Sequence, residues 1–309
     1  MRVLVAGSSG FVGSRLGPAL EADGHTVVAM TRDPAGYDGA GEAVYGDVHG
    51  PETLRAALDG CDAAFYLVHS LGSADFEQRD ADGARAFGRA AADAGVGRIV
   101  YLGGLGERDD DLSAHLRSRH EVEGLLAEAG VPVTVLRAGI VVGHGGISWE
   151  MTRQLVEHLP AMVCPRWVRT RTQPIAVADV VRYLVGTLAV PETTGRSFDI
   201  GGPEVLEYLT MMRRVAVIQG RRMLVVPVPL LTPSLSSRWL SLVTDVDVAT
   251  GRSLIDSMSN EVVVRDDSIR ALIPFTPMDY DDAVLVALGE RARAARATPR
   301  PTHHAKDPS

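Results

Sequence analysis

Apolar and polar positions follow two patterns in turn along residues 1–138 of the chain. Short apolar runs, typical of strands buried on both faces, are each followed by a longer segment in which apolar residues recur at helical spacing. Repeated alternation of this kind predicts a parallel sheet with helices on both faces. Strands are predicted over 3–6, 25–30, 43–45, 63–68, 98–102 and 133–136, and helices over 15–22, 52–58, 74–94 and 113–129.

The pattern becomes less regular after residue 139. Helical spacing returns in four segments and a short strand is expected over 198–200. We therefore expect an α/β fold: a doubly wound parallel sheet with a smaller C-terminal lobe. The segments with helical spacing in this part of the chain are 150–158, 178–188, 208–218 and 281–295.

The expected boundaries follow from this change of pattern. Residues 1–145 form the sheet domain, residues 146–295 form a mixed lobe of helices and strands, and residues 296–309 form a flexible tail. The two folded parts are interleaved, because part of 172–202 is expected to return and complete the sheet.

The first predicted strand ends in a glycine-rich segment with the spacing GxxGxxG. Gly7 allows a tight turn with positive φ, Gly10 lets a pyrophosphate approach the backbone, and Gly13 lets the helix pack closely against the strand. The helix N-terminus favours bound phosphate, and two serine hydroxyls add donors. Because the motif lies between a strand and a helix, we expect it to bind a dinucleotide. The predicted loop residues are Gly7, Ser8, Ser9, Gly10, Phe11, Val12 and Gly13.

The residues that follow the second predicted strand bear on the choice of cofactor. Thr31 and Arg32 offer a hydroxyl and a guanidinium, which suit the 2′-phosphate of NADP, whereas Asp33 one position later keeps NAD as the alternative. Asp47, after the third strand, is expected to accept a hydrogen bond from the adenine amino group. Three further residues at predicted strand ends complete the cofactor site: Val48, Leu67 and Val68.

Composition narrows the classes of partner. The formal net charge of -8 and the lack of a basic stripe argue against nucleic acid, so a small molecule is the expected partner. The two cysteines, Cys61 and Cys164, form no CxxC pair, which fits a reducing compartment and predicts no metal site. The chain enters a strand at once and its apolar 223–243 segment contains prolines, so we expect a cytoplasmic protein without a membrane span. That apolar segment is a candidate homodimer interface.

Several segments resemble one protein superfamily. The glycine loop, Gly46-Asp47, Leu136-Arg137-Ala138-Gly139 and the PIAVADV segment at 174–180 are similar to the extended and atypical short-chain dehydrogenases/reductases. The resemblance is nearest to the NmrA-like NAD(P)H-binding members. It covers roughly residues 1–295 and implies a Rossmann-type sheet, a bound dinucleotide and a variable C-terminal lobe that forms the substrate pocket.

The catalytic positions depart from the superfamily pattern. The resemblance implies a Ser, and a Tyr and a Lys spaced YxxxK, yet the Tyr position holds His115, the Lys position holds Arg119 and the Ser position falls at Gly103-Gly104. His115 and Arg119 lie four residues apart on one helical face, and His115 is our candidate proton partner. His69, after the fourth strand, is a further candidate acid or ribose contact. Surface positions for both helix residues remain the alternative.

These observations predict an oxidoreductase that transfers hydride between NADP(H) and a small hydrophobic carbonyl or enone substrate. Two other classes remain open. The chain is alternatively a non-catalytic NADP-binding sensor or scaffold, or it catalyses a redox-neutral isomerisation or elimination. Glu150 near the expected pocket mouth is a further candidate base, with a helix N-terminal partner as the other interpretation.

Overall fold

A computed structural model describes residues 1–70, 72–73, 75–106, 112–158, 161–164, 166–227 and 248–297. Strands and helices alternate along the first part of the chain, as the apolar pattern predicts. The strands in chain order are β1 (Arg2–Ala6), β2 (Thr26–Thr31), β3 (Glu42–Tyr45), β4 (Ala63–Tyr66), β5 (Arg98–Gly104), β6 (Val133–Ala138), β7 (Val141–Val142), β8 (Ala161–Cys164), β9 (Arg171–Thr172), β10 (Ile175–Ala176), β11 (Ser197–Ile200), β12 (Leu206–Glu207) and β13 (Leu224–Pro227).

Helices surround these strands. Short 3₁₀ turns occupy Arg166–Arg169 and Pro191–Thr193. The α-helices are α1 (Gly13–Ala22), α2 (Pro51–Leu58), α3 (Phe76–Asp93), α4 (Ala114–Ala127), α5 (Ile147–His158), α6 (Val177–Ala189), α7 (Tyr208–Ile218), α8 (Val248–Ser257), α9 (Ile269–Leu272) and α10 (Tyr280–Ala297).

Seven strands form the central sheet in the order β11-β6-β5-β4-β1-β2-β3. All of their pairings are parallel. The prediction of a doubly wound parallel sheet is therefore confirmed. The chain leaves β1 toward β2 on one side and β4 lies on the other, so the order reverses at β1, and ligands bind at such a point in open α/β sheets.

Both faces of the sheet are buried. Val3 and Val5 of β1 pack in a core with residues of α1 and α6, whereas Leu4 and Ala6 face a second core formed with α2, α3 and α4. This arrangement explains why the strands read as continuous apolar runs rather than as alternating patterns. A third core, centred on α5, α7, α8 and α10, belongs to the C-terminal part of the chain.

Three predicted strand ends differ from the observed ones by two residues, and the second strand ends at Thr31, one residue later than predicted. The fourth strand ends at Tyr66, two residues earlier than predicted, while the fifth and sixth each extend two residues further, to Gly104 and Ala138. The early end of β4 leaves Leu67 and Val68 in the loop that follows. The tail beyond residue 297 and most of the apolar 223–243 segment lie outside the described residues.

A serine cap fixes the start of α4. The Ser113 hydroxyl accepts a hydrogen bond from the Leu116 amide at 3.3 Å, which satisfies a backbone donor of the first turn. Ser113 also contacts the C-terminal part of the chain, because its hydroxyl lies 2.9 Å from that of Ser257 on α8. The helix that carries His115 is thus held at its start from two sides.

Candidate cofactor groove and active site

The loop between β1 and α1 is folded tightly. Gly7 has a φ of 87°, a left-handed conformation that glycine adopts without steric cost. The Gly10 amide donates a hydrogen bond to the Gly7 carbonyl oxygen at 3.0 Å, which closes the turn. A Cβ on Gly13 would collide with that same oxygen, so α1 packs against the loop only because residue 13 is glycine. The loop places the N-terminus of α1 at the carboxyl end of β1, where a helix favours phosphate.

An open groove of about 790 Å³ runs over this loop and along the ends of β2 and β4. Its position at the reversal of strand order is the one expected for a dinucleotide. The sequence-predicted cofactor residues that line it are Gly7, Ser9, Gly10, Arg32, Asp47, Val48, Leu67 and Val68.

Other residues of the predicted loop have different surroundings. The buried Ser8 hydroxyl, expected to face the phosphate, instead donates to the Met30 carbonyl oxygen at 3.0 Å and fixes the loop to β2. Val12 packs against the core beside α1. Phe11 lines a second cavity, described below, rather than the groove. These side chains therefore shape the loop, and Ser8 stays a predicted phosphate contact through its backbone groups alone.

Two arginines line the groove. Arg32 follows β2, and Arg79 lies on α3. Asp33 does not; its carboxylate accepts a hydrogen bond from the Gly36 amide at 3.1 Å within its own loop. Guanidinium groups pair well with phosphate, and both arginines are placed to bind a phosphate group in the groove. Sequence reasoning missed Arg79 because it lies in the first turn of α3 rather than in a loop directly after a strand.

Asp47 is fixed in the groove wall by its turn. Its carboxylate accepts a hydrogen bond from the His49 amide at 2.9 Å, and its own amide donates to the Thr53 hydroxyl at 3.0 Å. Contact with an adenine amino group stays a prediction for this residue.

A second cavity of about 220 Å³ adjoins the groove, and His69 lines both. Its walls come from β5, β6, α4, α5, α7 and α8. Most of the described lining is apolar or glycine. The polar side chains that line it are His69, His115, Arg119, Ser148, Tyr208 and Ser257.

The structure brings two of the predicted catalytic residues together. The ring centroids of His69 and His115 lie 5.8 Å apart with the planes tilted by 40°. Desolvation within the cleft and the charge of Arg119 lower the pKa of both imidazoles, and the pKa of His115 falls to about 3. His69 is an exposed residue and lies where the groove and the cavity meet. At neutral pH each ring is therefore neutral and offers one N–H donor and one acceptor.

Arg119 lies one helical turn beyond His115. Its guanidinium donates a hydrogen bond to the Leu102 carbonyl oxygen at the end of β5 and lies 5.0 Å from the centre of the Tyr101 ring. The Tyr101 hydroxyl in turn donates to the Arg119 carbonyl oxygen at 3.2 Å. No carboxylate of the described chain lies within 4.0 Å of this guanidinium. Arg119 is therefore anchored by a strand end rather than by an ion pair.

The end of β5 packs closely against α4. A Cβ at Gly104 would lie 3.1 Å from the Leu116 side chain and 3.4 Å from the Cβ of Arg119. A side chain at this position would require Leu116 to shift by a few tenths of an ångström, and glycine leaves the backbone of β5 at the cavity wall.

Glu150 does not line the cavity. Its carboxylate accepts hydrogen bonds from the Gly145 amide at 3.0 Å and from Arg153 at 2.8 Å, and it lies 3.0 Å from Nδ1 of His144. Burial alone would raise the pKa of Glu150, but these bonds outweigh it and lower the pKa. Glu150 is thus part of an ion-pair network at the start of α5, and its candidate role as a base stays a prediction.

Sequence reasoning also missed the cavity walls formed by the C-terminal part of the chain. Tyr208, at the start of α7, and Leu254, Ser257 and Met258 at the end of α8 line the cavity. These elements lie in the region of irregular pattern, and no motif in the sequence marks them. Within the described ranges, no three His, Cys, Asp or Glu side chains are placed to hold a metal ion.

Comparison with known proteins places this geometry in context. A sequence model of a family described as NAD(P)H-binding matches residues 7–167, slightly more than half of the chain. An uncharacterized protein of Mycobacterium tuberculosis strain H37Rv is 26% identical over 232 residues, which are 75% of this chain and 25% of that protein. The chain therefore spans about a quarter of the length of that relative.

Two named reductases are also similar. Sanguinarine reductase of Eschscholzia californica is 26% identical over 250 residues, covering 65% of this chain and 89% of that protein. The solved NADPH complex of QOR2, an NADPH-dependent quinone oxidoreductase from Escherichia coli, has a TM-score of 0.76 over 92% of this chain and 99% of its own, at 18% identity. The structural likeness shows a shared fold.

None of the helices described above combines the length and the apolar character needed to cross a membrane.

Proposed function

Since the chain belongs to the NAD(P)H-binding family, we propose that it is a reductase that binds NADP(H), with NAD as the alternative, and acts on a small hydrophobic carbonyl or enone. One observation carries this proposal: the groove that suits a dinucleotide and the largely apolar cavity meet at His69. A pocket that joins a cofactor groove to an apolar chamber is the arrangement expected for a redox enzyme with a small substrate.

The groove fits the cofactor at its phosphate end. The turn at Gly7 and the absence of a side chain at Gly10 leave a cradle beside the groove that a Cβ at residue 10 would fill, and Gly13 lets α1 pack against this turn. Backbone amides of this loop would bind the pyrophosphate. Asp47 would accept a hydrogen bond from the adenine amino group, and Arg32 would bind the 2′-phosphate. When bound, the cofactor supplies a hydride from its nicotinamide ring.

The residues of the cavity act on the substrate oxygen. The neutral imidazole of His115 donates a hydrogen bond to that oxygen, and His69 does the same from the groove side. The Arg119 guanidinium stabilises negative charge as it develops there, and the apolar walls exclude water and strengthen this attraction. His115 is thus a hydrogen-bond donor rather than a strong acid, because its pKa is lowered to about 3.

The test is a pair of measurements on the purified chain. Binding is followed by the fluorescence enhancement of NADPH and NADH, and turnover by the loss of absorbance at 340 nm with a panel of carbonyl and enone compounds. We expect binding and turnover, with turnover falling at least tenfold in His115→Ala. Arg117→Ala is the matched control, because Arg117 lies on the same helix with an exposed side chain outside the cavity.

A second candidate function is a non-catalytic NADP-binding sensor. The lowered pKa values of His69 and His115 favour it, because they leave the cavity without an imidazolium acid near pH 7. Tight NADPH binding with no turnover on the whole panel would support the sensor. Conversion of a substrate without net consumption of NADPH would instead support a redox-neutral isomerase or lyase.

The organisation of the chain completes the proposal. We retain a nucleotide-binding part over 1–145, whose sheet is completed by part of 172–202, a substrate lobe over 146–295 and a tail over 296–309. The first two residues of this tail, 296 and 297, continue α10. The cytoplasmic location and a homodimer through 223–243 remain predictions, and light scattering coupled to gel filtration tests the second.

A further inference from the structure

The charge of the substrate cavity is unusually one-sided. Arg119 is the permanently charged side chain among its described lining residues, and no carboxylate lines it. The nearest buried carboxylate on the same helix, Glu123, is paired with Arg137 through two hydrogen bonds of 2.9 and 2.7 Å. A cation in an apolar cavity without a counter-ion strongly favours a bound anion or an oxygen that becomes negative.

Arg119 also keeps donors for a ligand. A guanidinium has five N–H groups, and the Leu102 carbonyl oxygen receives its hydrogen bond from one of its terminal nitrogens. The contact with the Tyr101 ring uses the flat face of the group. The strand end therefore orients the guanidinium while it leaves N–H groups that are able to bind an oxygen in the cavity.

The remaining polar groups of the cavity are weak acids. His69 and His115 are neutral at pH 7, because their pKa values are lowered. The Tyr208 hydroxyl is buried, which raises its pKa above that of an ordinary tyrosine. None of these groups delivers a proton readily at the moment when the substrate oxygen gains charge.

This combination separates two kinds of carbonyl substrate. Reduction of a simple ketone places the charge on an alkoxide, whose basicity approaches that of hydroxide, since water has a pKa of about 15.7. Reduction of a quinone places it on a phenolate, and phenols have pKa values of about 10. A delocalised oxyanion therefore persists beside a guanidinium without immediate protonation, whereas an alkoxide does not.

We infer that Arg119, with His69 and His115, forms an oxyanion site that selects neutral conjugated acceptors, namely quinones or enones, whose reduction leaves a delocalised phenolate or enolate in the cavity. This inference rests on the proposed reductase function. In both acceptors the carbon β to the carbonyl gains the hydride and forms a new C–H bond, the C=C π pair shifts toward the carbonyl carbon, and the C=O π pair moves onto the oxygen as an enolate. In an enone, water then supplies the proton. In a quinone, the carbon that received the hydride loses a proton to water and the second carbonyl oxygen gains one, so the ring becomes aromatic and the first oxygen is left as a phenolate. Cationic acceptors are disfavoured, because they would lie beside Arg119 without a carboxylate to balance them.

A phenol that changes colour on ionisation tests the site without turnover. The absorbance of 4-nitrophenol is titrated with pH in the presence and absence of a saturating amount of the full-length protein. We expect the bound probe to ionise at least one pH unit lower than the free probe, which corresponds to a tenfold preference for the phenolate. In Arg119→Gln this shift is lost, whereas in Arg117→Gln, the control on the same helix, it is kept.

If Arg119→Gln fails to fold, Arg119→Lys provides a second test. It keeps a positive charge, and we expect it to retain a shift of the probe's pKa in the same direction. Three results would overturn the inference: no binding of the probe to wild-type protein, preferential binding of the neutral phenol, or an unchanged shift in folded Arg119→Gln.

The outcome is distinguishable from that of the proposed function. NADPH-dependent reduction of simple ketones without phenolate binding would contradict the proposed oxyanion site and support the proposed reductase function. Phenolate binding through Arg119 with no turnover of any acceptor would support the proposed oxyanion site and contradict the proposed reductase function.

Discussion

Arg15 on the first helix and Glu290 on the last helix form an ion pair of 2.7 Å. The same guanidinium donates hydrogen bonds to the carbonyl oxygens of Phe11, at 2.9 Å, and His144, at 2.8 Å. It also lies 4.9 Å from the centre of the Phe11 ring. One side chain therefore connects the glycine loop, the loop before α5 and the C-terminal helix.

Substitution of these two residues separates the ion pair from the other bonds. We expect Arg15→Gln to lower the free energy of unfolding by about 1–3 kcal/mol, because it removes charged hydrogen bonds to two carbonyl groups. Glu290→Gln removes only a partly exposed ion pair and should cost less than about 1 kcal/mol. Urea denaturation of both variants measures the difference. An equal or larger loss in Glu290→Gln would contradict the role of the carbonyl contacts.

Gly13 and Gly124 form a matched pair of helical glycines. Gly13→Ala should abolish NADPH binding or reduce it more than tenfold, because its Cβ would collide with the Gly7 carbonyl oxygen and displace the loop. A Cβ on exposed Gly124 would meet no neighbour, so Gly124→Ala should stabilise α4 by roughly 0.5–1 kcal/mol. Fluorescence titration and thermal unfolding provide the two measurements. Normal binding by Gly13→Ala would show that the loop tolerates a side chain.

In our proposal Arg32 binds the 2′-phosphate that distinguishes NADPH from NADH, and we expect Arg79, which lines the same groove, to contribute to this binding. We expect Arg32→Gln and Arg79→Gln each to weaken NADPH binding by about 10–100-fold, because a charged hydrogen bond contributes about 1.5–3 kcal/mol. The dissociation constant of NADH should change little, because NADH lacks the 2′-phosphate. Fluorescence titration with both nucleotides tests this. Equal losses for NADPH and NADH in the Arg79 variant would place that residue at the pyrophosphate instead.

The lowered pKa of His115 predicts a dependence of stability on pH. Between pH 6.5 and about 3 the unfolded chain binds a proton at this residue that the folded chain does not, so the stability of the folded state falls as the pH falls. The limiting slope is about 1.4 kcal/mol per pH unit, and partial exposure of the ring makes the measured slope smaller. His115→Gln should therefore lose less stability than wild type between pH 7 and pH 5 in urea denaturation. The same acid loss in both proteins would contradict the lowered pKa.

The sequence predicted the sheet well, because both faces of the sheet are buried and each strand is a short apolar run. It predicted the glycine loop for a different reason. The motif is local, and Gly7 and Gly13 each have a steric requirement that no other residue meets. The direction of individual side chains was less predictable. Ser8 and Ser9 are adjacent serines, yet the first is buried against β2 and only the second lines the groove.

The substrate cavity could not be predicted from local patterns. His69 and His115 become neighbours only through the pairing of β4 with β5 and the packing of α4. Ser257 and Tyr208 come from elements whose apolar positions serve a separate core, so their sequence gives no sign of a cavity. The choice between Arg32 and Asp33 as the groove residue likewise depends on a loop bond that no pattern reveals.

The seventh strand has a consequence for the modularity of the chain. β6 pairs with β11 in the register Val135 with Ser197, so the sheet is finished only after the chain has passed through α5 and α6. A fragment that stops at residue 145 would expose β6, with Val133, Val135 and Leu136, as an unprotected edge prone to self-association. The nucleotide-binding part is thus not an autonomous folding unit. The chain must be synthesised past residue 200 before β6 can pair with β11 and the sheet is complete.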